Sequence, residues 1–133
     1  MRITHEKYTD LSLIYVYLRE YDGINVDTIQ CVNTFLLFDR VDNWIGFEVF
    51  NILEDGSKVE LPALPYIYFP KRKEVVKMNK NRILILFDSN SIAFRRIHTD
   101  CNIDYNKNGL QGFEFILTGI KGDFDNKTDI FKE

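Results

Sequence analysis

The chain has 133 residues, 45% of them hydrophobic, with 11 Phe and 7 Tyr and a net charge of −3, which fits one domain over residues 1–133 with a real core and excludes a disordered chain. No apolar run approaches the roughly 20 residues of a membrane-spanning helix, and Met1-Arg-Ile-Thr-His-Glu6 lacks the apolar stretch of a secretory signal. Residues 1–66 hold five Lys/Arg against eleven Asp/Glu, and residues 67–133 hold twelve against nine; so acidic a front half argues against general nucleic-acid binding, which needs cations to neutralise phosphate.

Arg2-Ile-Thr4 starts a first strand. Leu11 to Leu18 is the second. Glu6–Leu18 is also the best helix decoy, but Tyr, Val, Ile and Thr crowd it, and these residue types suit a pleated surface. Asp22-Gly23 is a turn signal. Ile24 to Val32 alternates but changes face near Thr28, which predicts a bulge or bend. Phe35–Phe38 runs into the polar turn Asp39–Asn43, and Ile45–Ile52 is the next strand. Glu54–Ser57 turns again, and Lys58–Leu61 closes the first half. Pro62, Pro65 and Pro70 fall together, and proline is excluded from central strands. The apolar, aromatic segment 62–70 is therefore a joint, expected to lie pinned across the fold. After it, Lys73–Met78 and Arg82–Phe87 flank Asn79–Asn81, and Asp88–Ser91 turns. Ile92–His98 and Asp100–Tyr105 are strands, and Asn106-Lys-Asn-Gly109 is a hairpin turn whose Asn-Gly supplies positive φ. Leu110–Leu117 is the last strand, before a polar tail (119–133) with apolar tags at Phe124, Ile130 and Phe131.

Two of these segments recur along the chain. Ile14-Tyr-Val-Tyr-Leu18 reads like Ile83-Leu-Ile-Leu-Phe87, and Trp44-Ile-Gly-Phe-Glu-Val-Phe50 like Leu110-Gln-Gly-Phe-Glu-Phe-Ile116. Such self-similarity predicts one sheet unit used twice, each copy covering the apolar face of the other. With turn signals every eight to twelve residues, the expected fold is all-β. It comprises two tandem antiparallel β-meander repeats, 1–61 and 71–118, packed as a sandwich or partly open barrel.

The hairpin Asn102-Ile-Asp-Tyr-Asn-Lys-Asn-Gly-Leu-Gln-Gly-Phe-Glu-Phe-Ile116 resembles the closing hairpin of a small bacterial family, domain of unknown function 2283. Met1–Leu18 resembles that family's opening strand pair. The first copy departs in its turn, where Asn43 and Trp44 replace the usual Gly and Gly-aliphatic step. The resemblance implies a small β-meander fold and brings no activity or catalytic residues.

Few residues suggest chemistry. Asp104, Asn106, Asn108 and Gly109 imitate positions one, three, five and six of a calcium loop, but position twelve is Phe115 rather than a carboxylate. No metal and no cofactor are expected. His98, Asp100 and Cys101 look like a triad, yet strand alternation sends Cys101 to the opposite face. Cys31 and Cys101 read as reduced thiols of a cytoplasmic protein, with one disulfide as the alternative. The basic clusters Arg95-Arg96 and Lys71-Arg-Lys73 are expected to pair with acids. Glu48 and Glu114 occupy matching places in the two copies. Brought together they would share a proton as a weak hydrolase does, or border a small-ligand pocket between the repeats. The plainer expectation is that each holds local donors.

The expected function is therefore non-catalytic: an immunity protein or inhibitor that neutralises a bacterial toxin, such as a nuclease, through an acidic surface. The alternative is a small-ligand binding or regulatory module. The partner-binding residues expected are Asp39, Asp42, Trp44, Glu54 and Asp55; Trp44, Tyr66 and Tyr68 are candidate aromatic anchors, with core or lid packing as their plainer role. The partner is a basic protein, with no nucleic acid or membrane, and the chain itself a monomer or weak dimer.

Overall fold

The computed structural model describes residues 1–67, 69, 72–119 and 124. Tyr68, Pro70, Lys71, Ile130 and Phe131 lie outside the described residues. The alternating runs fold as eight strands: β1 (Arg2–Lys7), β2 (Ser12–Tyr17), β3 (Asp27–Phe38), β4 (Trp44–Leu53), β5 (Val75–Met78), β6 (Arg82–Leu86), β7 (Arg95–Asn106) and β8 (Gly109–Leu117). All pairings are antiparallel. Among the described residues there is no helix, and so none long and apolar enough to cross a membrane. The helix decoy over Glu6–Leu18 is the end of β1, a turn closed by Tyr8 N to Leu11 O at 2.9 Å, and β2.

The strands form one sheet in the order β1-β2-β8-β7-β3-β4-β6-β5, curled into a half-barrel. Of the two expected packings this is the partly open barrel rather than the sandwich, and the strand order does not divide into two separate meanders. Neither half folds on itself, since the β1–β2 hairpin lies against β8 and the β5–β6 hairpin against β4. Alternation tells which side chains point inward but not which strand lies next door. Two expected strands also change. Lys58–Leu61 makes only an isolated bridge from Lys58 to Ile52. Ile92–Phe94 stay outside the sheet, while Arg95–Asn106 runs through unbroken.

One face of every long strand is apolar, and these faces meet. Ile14 and Val16, Leu36 and Phe38, Phe47 and Val49, Ile83 and Ile85, Cys101 and Ile103, and Phe113 and Phe115 all reach the shared core. Each large side chain so buried contributes about 1.5–3 kcal/mol. The bend expected near Thr28 falls slightly later. The register slips between Ile29 and Val32, and Cys31 takes φ 58°. Edge strands β1 and β5 each pair with a single neighbour, so the barrel stays open. The joint does lie across the fold. Leu61 is buried, Leu64 and Ile67 pack on the core, and Ala63 O accepts from Leu110 N at 2.8 Å. Phe124 is buried as well, edge-on to Trp44, Phe38 and His5.

Candidate functional site

The five expected partner-binding residues do not form one surface. Asp39 and Asp42 lie in the β3–β4 turn. The Asp39 carboxylate accepts from Val41 N (3.0 Å) and Asn43 N (2.9 Å), so it builds the turn. Asp42, at φ 62°, pairs with Arg95 at 3.0 Å. Glu54 and Asp55 lie past the far end of β4, where Asp55 Oδ1 accepts from Ser57 N (2.8 Å) and Oγ (2.6 Å). Those bonds hold the Asp55 carboxyl below its usual range. Ten residues of β4 separate the two turns, which is about 30 Å of strand.

Trp44 is fully buried, not a surface anchor. Its ring stacks on Phe47 and meets Phe87, Phe115 and Phe124 edge-on, and its Nε1 donates to Gly46 O at 2.8 Å. A turn-end tryptophan lands in the core because β4 begins at Trp44 itself. Tyr66, by contrast, is exposed.

Glu48 and Glu114 do not meet. Their strands are three neighbours apart in the sheet, about 14 Å at ordinary strand spacing, so they neither share a proton nor border one pocket. Glu48 is held by Arg82 (2.8 Å) and Arg96 (3.3 Å). Glu114 accepts from Asn102 Nδ2 at 3.0 Å. Arg95 and Arg96 thus both serve carboxylates. In the calcium-like turn, Asp104 accepts from Tyr15 Oη (2.7 Å) and Thr28 Oγ1 (2.6 Å). Asn106 Oδ1 accepts from Asn108 N (2.9 Å) and Arg19 Nη2 (2.6 Å), so the side-chain oxygens of Asp104 and Asn106 are turned to protein donors. His98 sits exposed against Asn33 while Cys101 is buried beneath the sheet, so the apparent triad is split between faces.

A different carboxylate group does assemble. Alternation along β7 puts Asp100, Asn102 and Asp104 on the face away from the core. Glu114 joins them through Asn102, whose Oδ1 also takes Cys31 N at 3.1 Å. Glu54 arrives from the other side, its N bonded to Cys31 O at 3.0 Å. The Cys31 thiol, exposed at the bulge, is pushed above its ordinary value first by desolvation and then by the charges of Glu54 and Asp100. Glu54, Asp100, Asp104 and Glu114 thus ring the β3 bulge, while the Asp55 carboxylate turns back onto Ser57. Among the described residues none of them is in an ion pair, whereas Glu20, Asp22, Asp42 and Glu48 all are. The i, i+2, i+4 spacing of Asp100, Asn102 and Asp104 was legible in the sequence. The approach of Glu54 was not, because it depends on β3 lying beside β7.

Both cysteines are free thiols. Burial pushes Cys101 up from 9.0 to about 12, offset in part by the Thr34 hydroxyl 3.1 Å away. Tyr15 is also raised, by burial first and then by its bond to Asp104 and the Asp104 charge. As pH rises from 9 toward 12, the unfolded chain sheds the thiol proton and the folded chain keeps it. The folded state then binds more protons, so stability falls with rising pH. A Tm series across this window should slope downward, and Cys101→Ala should flatten it. An unchanged slope in that variant would contradict the buried thiol.

Compared with protein-family models, curated proteins and solved structures, the chain finds no match.

Proposed function

We propose that this chain is a non-catalytic binding protein, an immunity protein or inhibitor that neutralises a basic bacterial toxin, such as a nuclease, by covering it. The observation that carries the reading is the ring of carboxylates around the β3 bulge, left without cation partners among the described residues. A protein that cleaves nucleic acid presents Lys and Arg, and opposed potentials of this kind speed encounter and fix orientation. The acids come from both halves of the sequence, so the acidic surface is made by folding rather than by the front half alone. Asp39 and Asp42 drop out of it, Glu54 stays, and Asp55 caps its own turn. The small-ligand alternative loses the pocket it needed between Glu48 and Glu114.

The halves are, in this reading, two copies of the hairpin unit resembling family 2283. Register supports it. Gly46 stands opposite Leu86 and Gly112 opposite Tyr17, while Phe47 faces Ile85 and Phe113 faces Val16. These are the residues the sequence repeat aligns. The proposed location is the cytoplasm, in keeping with two free thiols.

The test is capture of the neighbouring gene's product, or of a lysate partner, by wild type and by the double variant Glu54→Lys, Asp100→Lys. The variant should associate at least about tenfold more slowly at low salt and lose most of its salt dependence. A captured partner that is not basic, or unaltered binding by the variant, refutes the reading.

A further inference from the structure

Three of the seven large apolar side chains left exposed among the described residues lie together, at the end of the sheet remote from the carboxylate ring. Val41 is 74% exposed, Ile92 81% and Phe94 63%. With Asp39, Arg40 and Ala93 they line a shallow groove of about 480 Å³. The groove joins the β3–β4 turn to the connection between β6 and β7.

This end is held in shape. Asp39 fixes the turn through Val41 N and Asn43 N. Phe94 N donates to Phe38 O at 2.8 Å, and the Asp42–Arg95 ion pair ties turn to connection. The Arg40 guanidinium lies 4.9 Å from the centre of the Phe94 ring. Apolar groups held out in water by a fixed backbone lose little freedom when they are covered.

We propose that this end of the sheet is a self-association surface, and that its occupant is a second copy of the chain. Its charge pattern points there. Val41 stands between a cation, Arg40, and a carboxylate, Asp42. A twofold axis through Val41 sets Arg40 of each copy against Asp42 of the other, and a twofold contact needs such self-complementarity. Arg40 and Arg95 balance Asp39 and Asp42, so a strongly charged partner gains nothing here while an identical copy does. The three side chains offer roughly 300–400 Å² of apolar surface per copy, in the range of a functional patch. With a polar rim the contact reaches the small end of specific interfaces, which makes a weak dimer. The carboxylate ring, about 30 Å away along β4, stays open, so the pair presents two inhibitory surfaces.

Sedimentation velocity on the full chain, from micromolar to millimolar concentration, tests this. Wild type should shift from monomer to dimer. Val41→Lys and Val41→Glu should each associate at least about tenfold more weakly, because like charges meet across the axis. An equimolar mixture of the two should regain a dimer, lysine facing glutamate. Val41 is exposed in a turn, so both variants should keep the wild-type melting curve. A wild-type monomer at every concentration overturns the proposal. So do variants that associate as wild type does, or a mixture that stays monomeric. Loss of toxin capture in Val41→Glu, with wild type monomeric throughout, would instead hand this end to a different protein. Charge reversal at Glu54 and Asp100 should leave self-association untouched, so this inference and the proposed function fail separately.

Discussion

Gly46→Ala should leave the chain unable to fold at ordinary temperature. Gly46 sits in β4 at φ 155°, a backbone conformation that side chains rarely adopt. A Cβ built there overlaps the carbonyl oxygen of Ile85 and lies 3.0 Å from Leu86 Cα. These are backbone atoms of β6, so no rotamer change relieves the clash, and β4 and β6 must part. Their ladder, Gly46 to Leu86 through Phe50 to Arg82, would loosen with them. The Gly46 carbonyl also accepts the Trp44 Nε1 bond, so the displacement reaches the core. A cost above about 4 kcal/mol is expected, comparable to the whole stability of many small domains. Gly56→Ala is the control. Gly56 also has positive φ, but an added Cβ meets nothing within 4 Å, so its cost should stay near 1 kcal/mol. Urea titration followed by far-ultraviolet circular dichroism reads both. A Gly46→Ala midpoint within 1 kcal/mol of wild type would mean that β4 and β6 do not approach this closely.

Gly46 also shows how far the sequence could be read. The repeat singled out the Gly-Phe-Glu step at Gly46 and Gly112, and both positions prove to be close approaches. At Gly112 an added Cβ would overlap the Tyr15 ring and lie 2.5 Å from Val16 O. The inward faces of β2, β4, β6 and β8 were equally legible, since period-two alternation sorts side chains without knowledge of neighbours. What alternation cannot give is the order of strands. The β2–β8 and β4–β6 pairings join segments far apart in the chain, and only they show where the first hairpin of each half goes. The same limit governed the site. Glu48 and Glu114 look paired on the page and lie three strands apart, while Glu54 and Asp100 look unrelated and both press on Cys31. Asp39 and Glu54 seemed part of one acidic front because charge was counted along the chain, and a ten-residue strand holds them apart. A local signal did exist for the β7 carboxylates, whose spacing places them on one face.

Trp44→Ala should cost about 3–5 kcal/mol, the range for emptying a large aromatic site in a packed core. The ring has no exposure and sits among Phe47, Phe87, Phe115 and Phe124, with centroids 4.7 to 6.3 Å away. Three of these come from β4, β8 and the residue after β6, and the fourth from the tail, so one deletion loosens the sheet and the cover together. Trp44→Phe separates the two contributions. It keeps much of the ring but leaves the Gly46 carbonyl without its indole donor, which should cost about 1–3 kcal/mol beyond the lost volume. As the only tryptophan in the chain, Trp44 reports its own environment. Its emission should be blue-shifted in the native state and move to the red in one step with unfolding. A surface anchor would behave in the opposite way, with red emission, an unchanged midpoint on substitution and direct loss of partner capture. If the ring is core, Trp44→Ala held well below its own midpoint should, on the proposed function, still capture the basic partner through Glu54 and Asp100, and should lose it only as the fold melts.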